Sequence, residues 1–176
     1  IKIIQSGIMS FDEYGVAGPL EFSKEELTYL INRAHDADLK TMVHVNTPKG
    51  VEMAIEAGAD SIEHGYCIDE DCIQGLKENG VVWVPTLSPF ANIAACKENH
   101  PLAQYREISR KYFTEHRQRV RTAHKKGVTI ALGSDAGAAL VVHGKAAKDE
   151  LGYLRGCGLN EEEIFKNSSK VLELKL

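Results

Sequence analysis

The sequence has few cysteines and no long apolar run, and each absence excludes a class of protein. Four cysteines among 176 residues, with no Cys-x-x-Cys, are too few for a disulfide scaffold. We therefore expect reduced thiols in a cytoplasmic protein. No apolar run approaches the roughly 20 residues that a membrane-spanning helix needs, so we predict no membrane partner.

The sequence also lacks an excess of basic residues. It has 21 basic and 25 acidic residues, which give a formal net charge of −4. Proteins that bind nucleic acid neutralise its phosphates with a basic face. We therefore predict a small-molecule substrate and no nucleic-acid partner.

What remains is the composition of one globular α/β domain that spans residues 1–176. Hydrophobic residues make up 43% and charged residues 26% of the chain, and no low-complexity tract divides it. The first residues, Ile1 to Ile4, follow no initiator Met and resemble the inside of a strand. This start suggests that the sequence is a fragment of a longer protein.

Short apolar runs alternate with helical patterns along the chain. We predict five strands, at residues 1–4, 41–45, 61–64, 81–84 and 128–132. Strands that alternate with helices predict right-handed crossovers and a parallel sheet. A flavodoxin-like sheet of five strands fits the length, whereas a TIM-type barrel needs eight strands and about 250 residues. Length favours the first architecture, and the placement of polar residues favours the second.

Local signals mark where the helices begin and end. Ser23 and Glu26 form a capping-box pattern, and Pro48 suits the first turn of the second helix. We predict a loop around Pro89, followed by a long helix from Pro101 to Gly127. His116, within that helix, is expected on the surface.

Ionisable side chains occur in or after four of the five runs. Lys2 lies within the first run, His44 and His64 end or nearly end the next two, and Asp135 follows the last. Parallel strands are buried on both faces, so such residues need partners. A metal ion at the carboxyl ends of the strands would satisfy all four, because imidazole and carboxylate are ordinary zinc ligands. The alternatives are hydrogen-bonded structural histidines, a solvated Lys2 and a turn residue at Asp135.

Five segments together carry a resemblance to a known family. They are residues 1–7, 42–45, 57–65, 84–87 and 131–137, and they include Ser-Ile-Glu-His-Gly and Gly-Ser-Asp-Ala-Gly. In this order they resemble the amidohydrolase superfamily, in its imidazolonepropionase-like and Xaa-Pro dipeptidase-related branch.

The resemblance implies a partial TIM-type (β/α) barrel of about five parallel strands with helices outside. These would be family strands 4 to 8, without strands 1 to 3 and without the family's small β-sandwich. The His-x-His pair of family strand 1 has no counterpart in this sequence. The open edges of such a partial barrel need a cover, which the missing N-terminal part or a second copy of the chain in a homo-oligomer could provide.

The resemblance also implies a metal site. Lys2 falls on the lysine that is carbamylated and bridges two metals, and His44 and His64 fall on metal ligands. Asp135 falls on the aspartate that binds metal and transfers a proton from water to the leaving nitrogen. The resemblance implies one or two divalent ions, with zinc as the expected metal, that would activate water.

The implied activity is metal-dependent hydrolysis of C–N bonds, amide or cyclic amide, in small polar substrates such as dipeptides. Tyr66, two residues after His64, and His143, near the Asp135 loop, are candidate substrate contacts. The alternative functions are a non-catalytic five-stranded ligand-binding domain or an inactive fragment.

Overall fold

A computed structural model describes residues 1–172 of the protein, and it is built around a parallel sheet of four strands. The strands are β1 (Lys2–Ile4), β2 (Met42–Val45), β3 (Ser61–His64) and β4 (Val82–Val84). They lie side by side in chain order, and every neighbouring pair is parallel. The α/β class and the parallel sheet are therefore confirmed.

Helices follow the strands, largely where the sequence predicts them. They are α1 (Lys24–His35), α2 (Pro48–Glu56), α3 (Glu70–Glu78), α4 (Ser88–Ala94), a 3₁₀ turn (Pro101–Tyr105), α5 (Arg106–Lys126), α6 (Ala146–Arg155) and α7 (Glu161–Leu172). Ser23 and Glu26 make both bonds of the capping box, and α5 ends at left-handed Gly127. Within residues 1–172 no helix is both long and apolar enough to cross a membrane.

Two predictions about local structure are wrong. Residues 128–132 do not form a fifth strand: only Ile130 pairs with Trp83, in a single parallel bridge beside β4. Two side chains of α7 bond the backbone of this run instead. Asn167 donates to the carbonyl of Ile130, and the hydroxyl of Ser168 accepts from the amide of Leu132. The predicted loop around Pro89 is the helix α4, and Pro89 occupies its first turn, which proline tolerates.

The two faces of the sheet have different surroundings. Ile3, Val43, Ile62 and Trp83 belong to the main core, which the helices cover. The other face carries a smaller cluster of Val82, Val84 and Ala131, against which Val171 packs.

At the β1 edge, Ile1 and Ile4 are 58% and 47% exposed. That a second copy of the chain covers this edge stays a prediction.

The segment between β1 and α1 folds back on itself at the carboxyl ends of the strands. Antiparallel bridges join Ser6 to Leu20 and Met9 to Ala17. This ribbon places Met9 against Tyr66, Phe90 and Tyr112 in a second apolar cluster. It therefore supplies one wall of the space at the carboxyl ends of the strands.

Candidate functional site

His44 and His64 lie on neighbouring strands, and their rings meet at the carboxyl edge of the sheet. His44 pairs with Glu63 in the β2–β3 register, whereas His64 pairs with Val45. Because side chains alternate along a strand, an extended His64 would lie on the opposite face from His44. The backbone of His64 is instead left-handed, with φ of 68°, and the two ring centroids are 4.5 Å apart, edge to face. The turn at His64 thus brings both imidazoles to one place.

The two imidazoles line a cavity of about 220 Å³ together with Asp135. Most of the remaining wall is apolar and includes Ile8, Met9, Phe11, Phe90 and Ile93. Enclosed sites with a few polar groups on an apolar wall are typical of small-molecule binding. This cavity is therefore the candidate functional site.

Hydrogen bonds hold both the ring and the backbone of His64. Its Nδ1 lies 2.6 Å from Oγ1 of Thr86, and the indole Nε1 of Trp83 donates to its carbonyl at 2.9 Å. Burial lowers the pKa of His64 to about 3, and electrostatic interactions with His44 and Lys2 act in the same direction. The ring is therefore neutral at pH 7, which is the form that binds metal.

His44 has a similar electrostatic environment. Burial lowers its pKa, and the charge of Lys2 lowers it further. Its Nε2 lies 3.4 Å from the amide nitrogen of Asn46, which donates to the carbonyl of Gly7 at 3.2 Å. Both rings are therefore neutral, and each can offer a nitrogen lone pair to a metal ion.

Lys2 and Asp135 both act electrostatically on His44. Lys2 is exposed on β1, two residues before Ile4, which pairs with His44. Its charge acts on both histidines, and Asp135 opposes it by raising the pKa of His44. Asp135 is exposed at the cavity, with left-handed φ of 54°. Among residues 1–172, those that line the cavity do not include Lys2.

The donor set fits a metal ion only in part. Among residues 1–172, no three His, Cys, Asp or Glu side chains are close enough to hold one ion. Catalytic zinc normally has three protein ligands. The neutral His44 and His64 rings fit as two of them, and the described residues bring no third such side chain close to both.

The two candidate substrate contacts have different positions. Tyr66 lines the cavity, and its ring stacks with that of His64 at 5.8 Å. Its hydroxyl, however, donates to the carbonyl of Thr86 at 2.8 Å. His143 is exposed and lies against Gly137 in the loop after Asp135, outside the cavity lining of the described residues.

Three buried residues near the site were missed in the sequence. Thr86 contacts His64, and His116 and Glu150 bond the backbone on either side of Thr86. His116 is only 1% exposed, so its predicted surface position is wrong. A signal was present, because His116 lies between buried Tyr112 and Val120 at four-residue spacing. Glu150 likewise lies between buried Ala146 and Leu154.

These features define a class of protein: an α/β fold with its candidate site at the carboxyl ends of parallel strands, as in TIM-barrel enzymes. The particular family follows from comparison with known proteins. The chain belongs to the amidohydrolase family, whose model matches residues 1–166. The predicted superfamily is therefore confirmed.

Individual relatives agree with this assignment. The chain is 32% identical over 156 residues to an uncharacterized protein of Mycobacterium tuberculosis, covering 87% of this chain and 41% of that protein. It is 32% identical over 136 residues to the ochratoxinase of Aspergillus niger, covering 77% and 28%.

A solved structure shows the same fold. The crystal structure of a Xaa-Pro dipeptidase with bound methionine in the active site aligns at a TM-score of 0.75 and 30% identity. The alignment covers 95% of this chain and 40% of that chain. The chain thus spans less than half the length of these relatives.

Proposed function

We propose that the protein is a metal-dependent hydrolase of C–N bonds, amide or cyclic amide, in small substrates such as dipeptides. The observation that carries the proposal is the pair of neutral imidazoles, His44 and His64, at one cavity. Membership of a family that is generally metal-dependent supports it.

In this proposal the metal ligands come from three neighbouring strands, β1, β2 and β3. His44 and His64 each offer one ring nitrogen. The exposed amine of Lys2 reacts with CO₂ and loses a proton, which gives a carbamate with a carboxylate-like pair of oxygens. These residues would hold a divalent metal, zinc as the first candidate, which would supply Lewis acidity to activate water and polarise a carbonyl.

Asp135 is the proposed catalytic residue and a further metal ligand. Its carboxylate lies at the cavity and is exposed, so substrate can reach it. We infer that it takes a proton from the attacking water and delivers it to the leaving nitrogen as the C–N bond breaks.

The cavity wall indicates the kind of substrate. The side chains of Met9, Phe11, Phe90 and Ile93 would contact an apolar group beside the scissile bond. We expected small polar substrates from the sequence, and this wall favours an amide with one apolar substituent. Tyr66 would contribute its ring, since its hydroxyl is engaged by Thr86, and His143 is a candidate at the rim.

The compartment is a separate part of the proposal. All four cysteines, Cys67, Cys72, Cys96 and Cys157, are free thiols. Reduced thiols are typical of proteins from the cytosol. We infer a cytoplasmic location on this ground.

The test combines metal content with turnover. The purified protein is stripped with a chelator, reloaded with Zn²⁺, Mn²⁺ or Co²⁺, and assayed on dipeptides and N-acyl amino acids with apolar or polar side chains. We expect metal-dependent release of amine, best with an apolar side chain, and loss of turnover in Asp135→Asn. His100→Ala, which lies outside the cavity lining of the described residues, is the matched control for histidine substitutions.

The same assay separates the alternatives. Absence of turnover with every metal would overturn the hydrolase proposal. Without turnover, absence of stoichiometric metal would favour a ligand-binding domain, whereas bound metal would favour an inactive fragment.

A further inference from the structure

The segment Pro85–Ser88, which runs from the end of β4 into the first residue of α4, is buried and bent. Thr86 has left-handed φ of 51° and is 2% exposed. A β-branched residue is rarely found in this conformation, because its side chain crowds the backbone. Other contacts must therefore hold Thr86 there.

Two buried ionisable side chains bond this segment on either side of Thr86. His116 of α5 lies 2.8 Å through Nε2 from the carbonyl of Pro85. A carbonyl can only accept, so this nitrogen carries the proton and the ring is fixed in one tautomer. His116 thereby holds the residue just before Thr86.

Glu150 of α6 holds the residues just after Thr86. Its Oε1 accepts from the amide of Leu87 at 2.8 Å, and its Oε2 accepts from the amide and hydroxyl of Ser88 at 2.8 and 2.6 Å. Glu150 is 0% exposed, and burying a carboxyl group is costly. Packing alone does not explain a carboxyl group at this position.

Thr86 in turn contacts the candidate site. Its Oγ1 lies 2.6 Å from Nδ1 of His64, and its carbonyl accepts from the hydroxyl of Tyr66 at 2.8 Å. The side chains of His64 and Tyr66 both line the cavity, and their positions therefore depend on the position of Thr86.

We propose that Glu150 and His116 are positioning residues, which hold Thr86 in its left-handed conformation and, through Thr86, fix the ring of His64. The proposal rests on the proposed role of His64 in the site. It adds a second layer of residues, drawn from α5 and α6, that determines how one ligand is oriented. Such outer contacts fix the tautomer and direction of a ligating imidazole.

The central test is Glu150→Gln. Glutamine has one acceptor oxygen where Glu150 uses both oxygens, so its NH₂ group would face an amide of Leu87 or Ser88. The matched control is Glu163→Gln on α7, which makes the same replacement at a residue that pairs with His124, away from the segment.

The readout is the tautomer of His64, from ¹⁵N spectra of the histidine rings in the metal-free protein, assigned with a His64→Gln variant. We expect one tautomer in the wild type and in Glu163→Gln, and averaged signals in Glu150→Gln. Zn²⁺ affinity, measured with a competing indicator, should fall about tenfold in Glu150→Gln only.

Further variants keep the test decisive if Glu150→Gln does not fold. Ser88→Ala removes only the Ser88 hydroxyl bond, and His116→Phe removes the bond to Pro85 while keeping a ring against Tyr66. Both should shift the His64 signals in the same direction by less. Folded variants with unchanged His64 signals would overturn the proposal. Because the spectra need no metal and no turnover, this result is independent of whether the protein proves to be a hydrolase.

Discussion

Gly7 and Gly18 cross so closely that a Cβ atom built on Gly18 would lie 2.7 Å from the Cα of Gly7. The crossing closes the ribbon between β1 and α1, which carries Ile8, Met9 and Phe11 to the cavity. Only glycine fits on both sides, because each Cβ would meet backbone. The shape of the cavity therefore depends on two residues that do not line it.

We predict that Gly18→Ala destabilises the protein by about 1–3 kcal/mol, because the new methyl group must displace backbone. Gly152→Ala is the contrast. A Cβ there meets no atom within 4 Å, and the position is inside α6, so alanine should stabilise by about 0.5–1 kcal/mol. Urea unfolding of both variants measures the difference, and equal stabilities would contradict the proposed crossing.

We predict that the protein as it stands binds at most one metal ion, near His44 and His64. Those rings form the one pair of neutral donors that we identify at the cavity, and Asp135 and Lys2 alone would be too few ligands for a second tight site. Elemental analysis should show loss of metal in His44→Ala and His64→Ala but not in His100→Ala. Two tightly bound ions per chain, or metal retained in both cavity variants, would show that these ligands are wrong.

The buried ionisable groups predict how stability changes with pH. Burial lowers the pKa of His64 and of His116 to about 3, from an ordinary value of 6.5. Since the unfolded chain binds these protons more readily, the free energy of unfolding should fall as the pH drops below about 6.5.

Glu150 acts in the opposite direction. Burial raises its pKa from 4.5 to about 7, although the bonds from Ser88 and Leu87 oppose the shift. Its contribution is complete below pH 4.5 and is lost as the pH rises through about 7, by about 3 kcal/mol at most.

Comparing variants isolates this contribution. The free energy of unfolding of the wild type minus that of Glu150→Gln should decrease between pH 4.5 and 7.5. A flat difference for Glu150→Gln would mean that Glu150 remains charged throughout.

Local signals in the sequence were sufficient for most elements of the fold. The capping box at Ser23, Pro48 in a first turn and Gly127 at a helix end are short-range features, and the structure has all three. The helix at Pro89 was missed because its first amides, at Leu87 and Ser88, are bonded by Glu150, which is 62 residues away from Ser88 along the chain. Long-range contacts also explain why residues 128–132 do not form a strand, since side chains of α7 bond part of their backbone.

The candidate site could be predicted only as a set of strand ends. Strand alternation gave no reason to expect His44 and His64 on one side, because their meeting depends on the left-handed turn at His64. Thr86 was visible within the motif at 84–87, but its contact with His64 is tertiary. The positions of His116 and Glu150 on buried helical stripes could have been inferred, whereas their partners could not.

The left-handed residues at the ends of β3, β4 and the 128–132 run have a consequence for variants with increased heat resistance. His64, Thr86 and Asp135 are three of the five non-glycine residues with positive φ in the described part of the chain. At exposed Asp135, glycine would adopt this backbone with less strain, so selection for thermal tolerance alone would favour Asp135→Gly. That gain would remove the proposed catalytic carboxylate, and a heat-resistant descendant of this protein would therefore be expected to keep the fold while losing its chemistry.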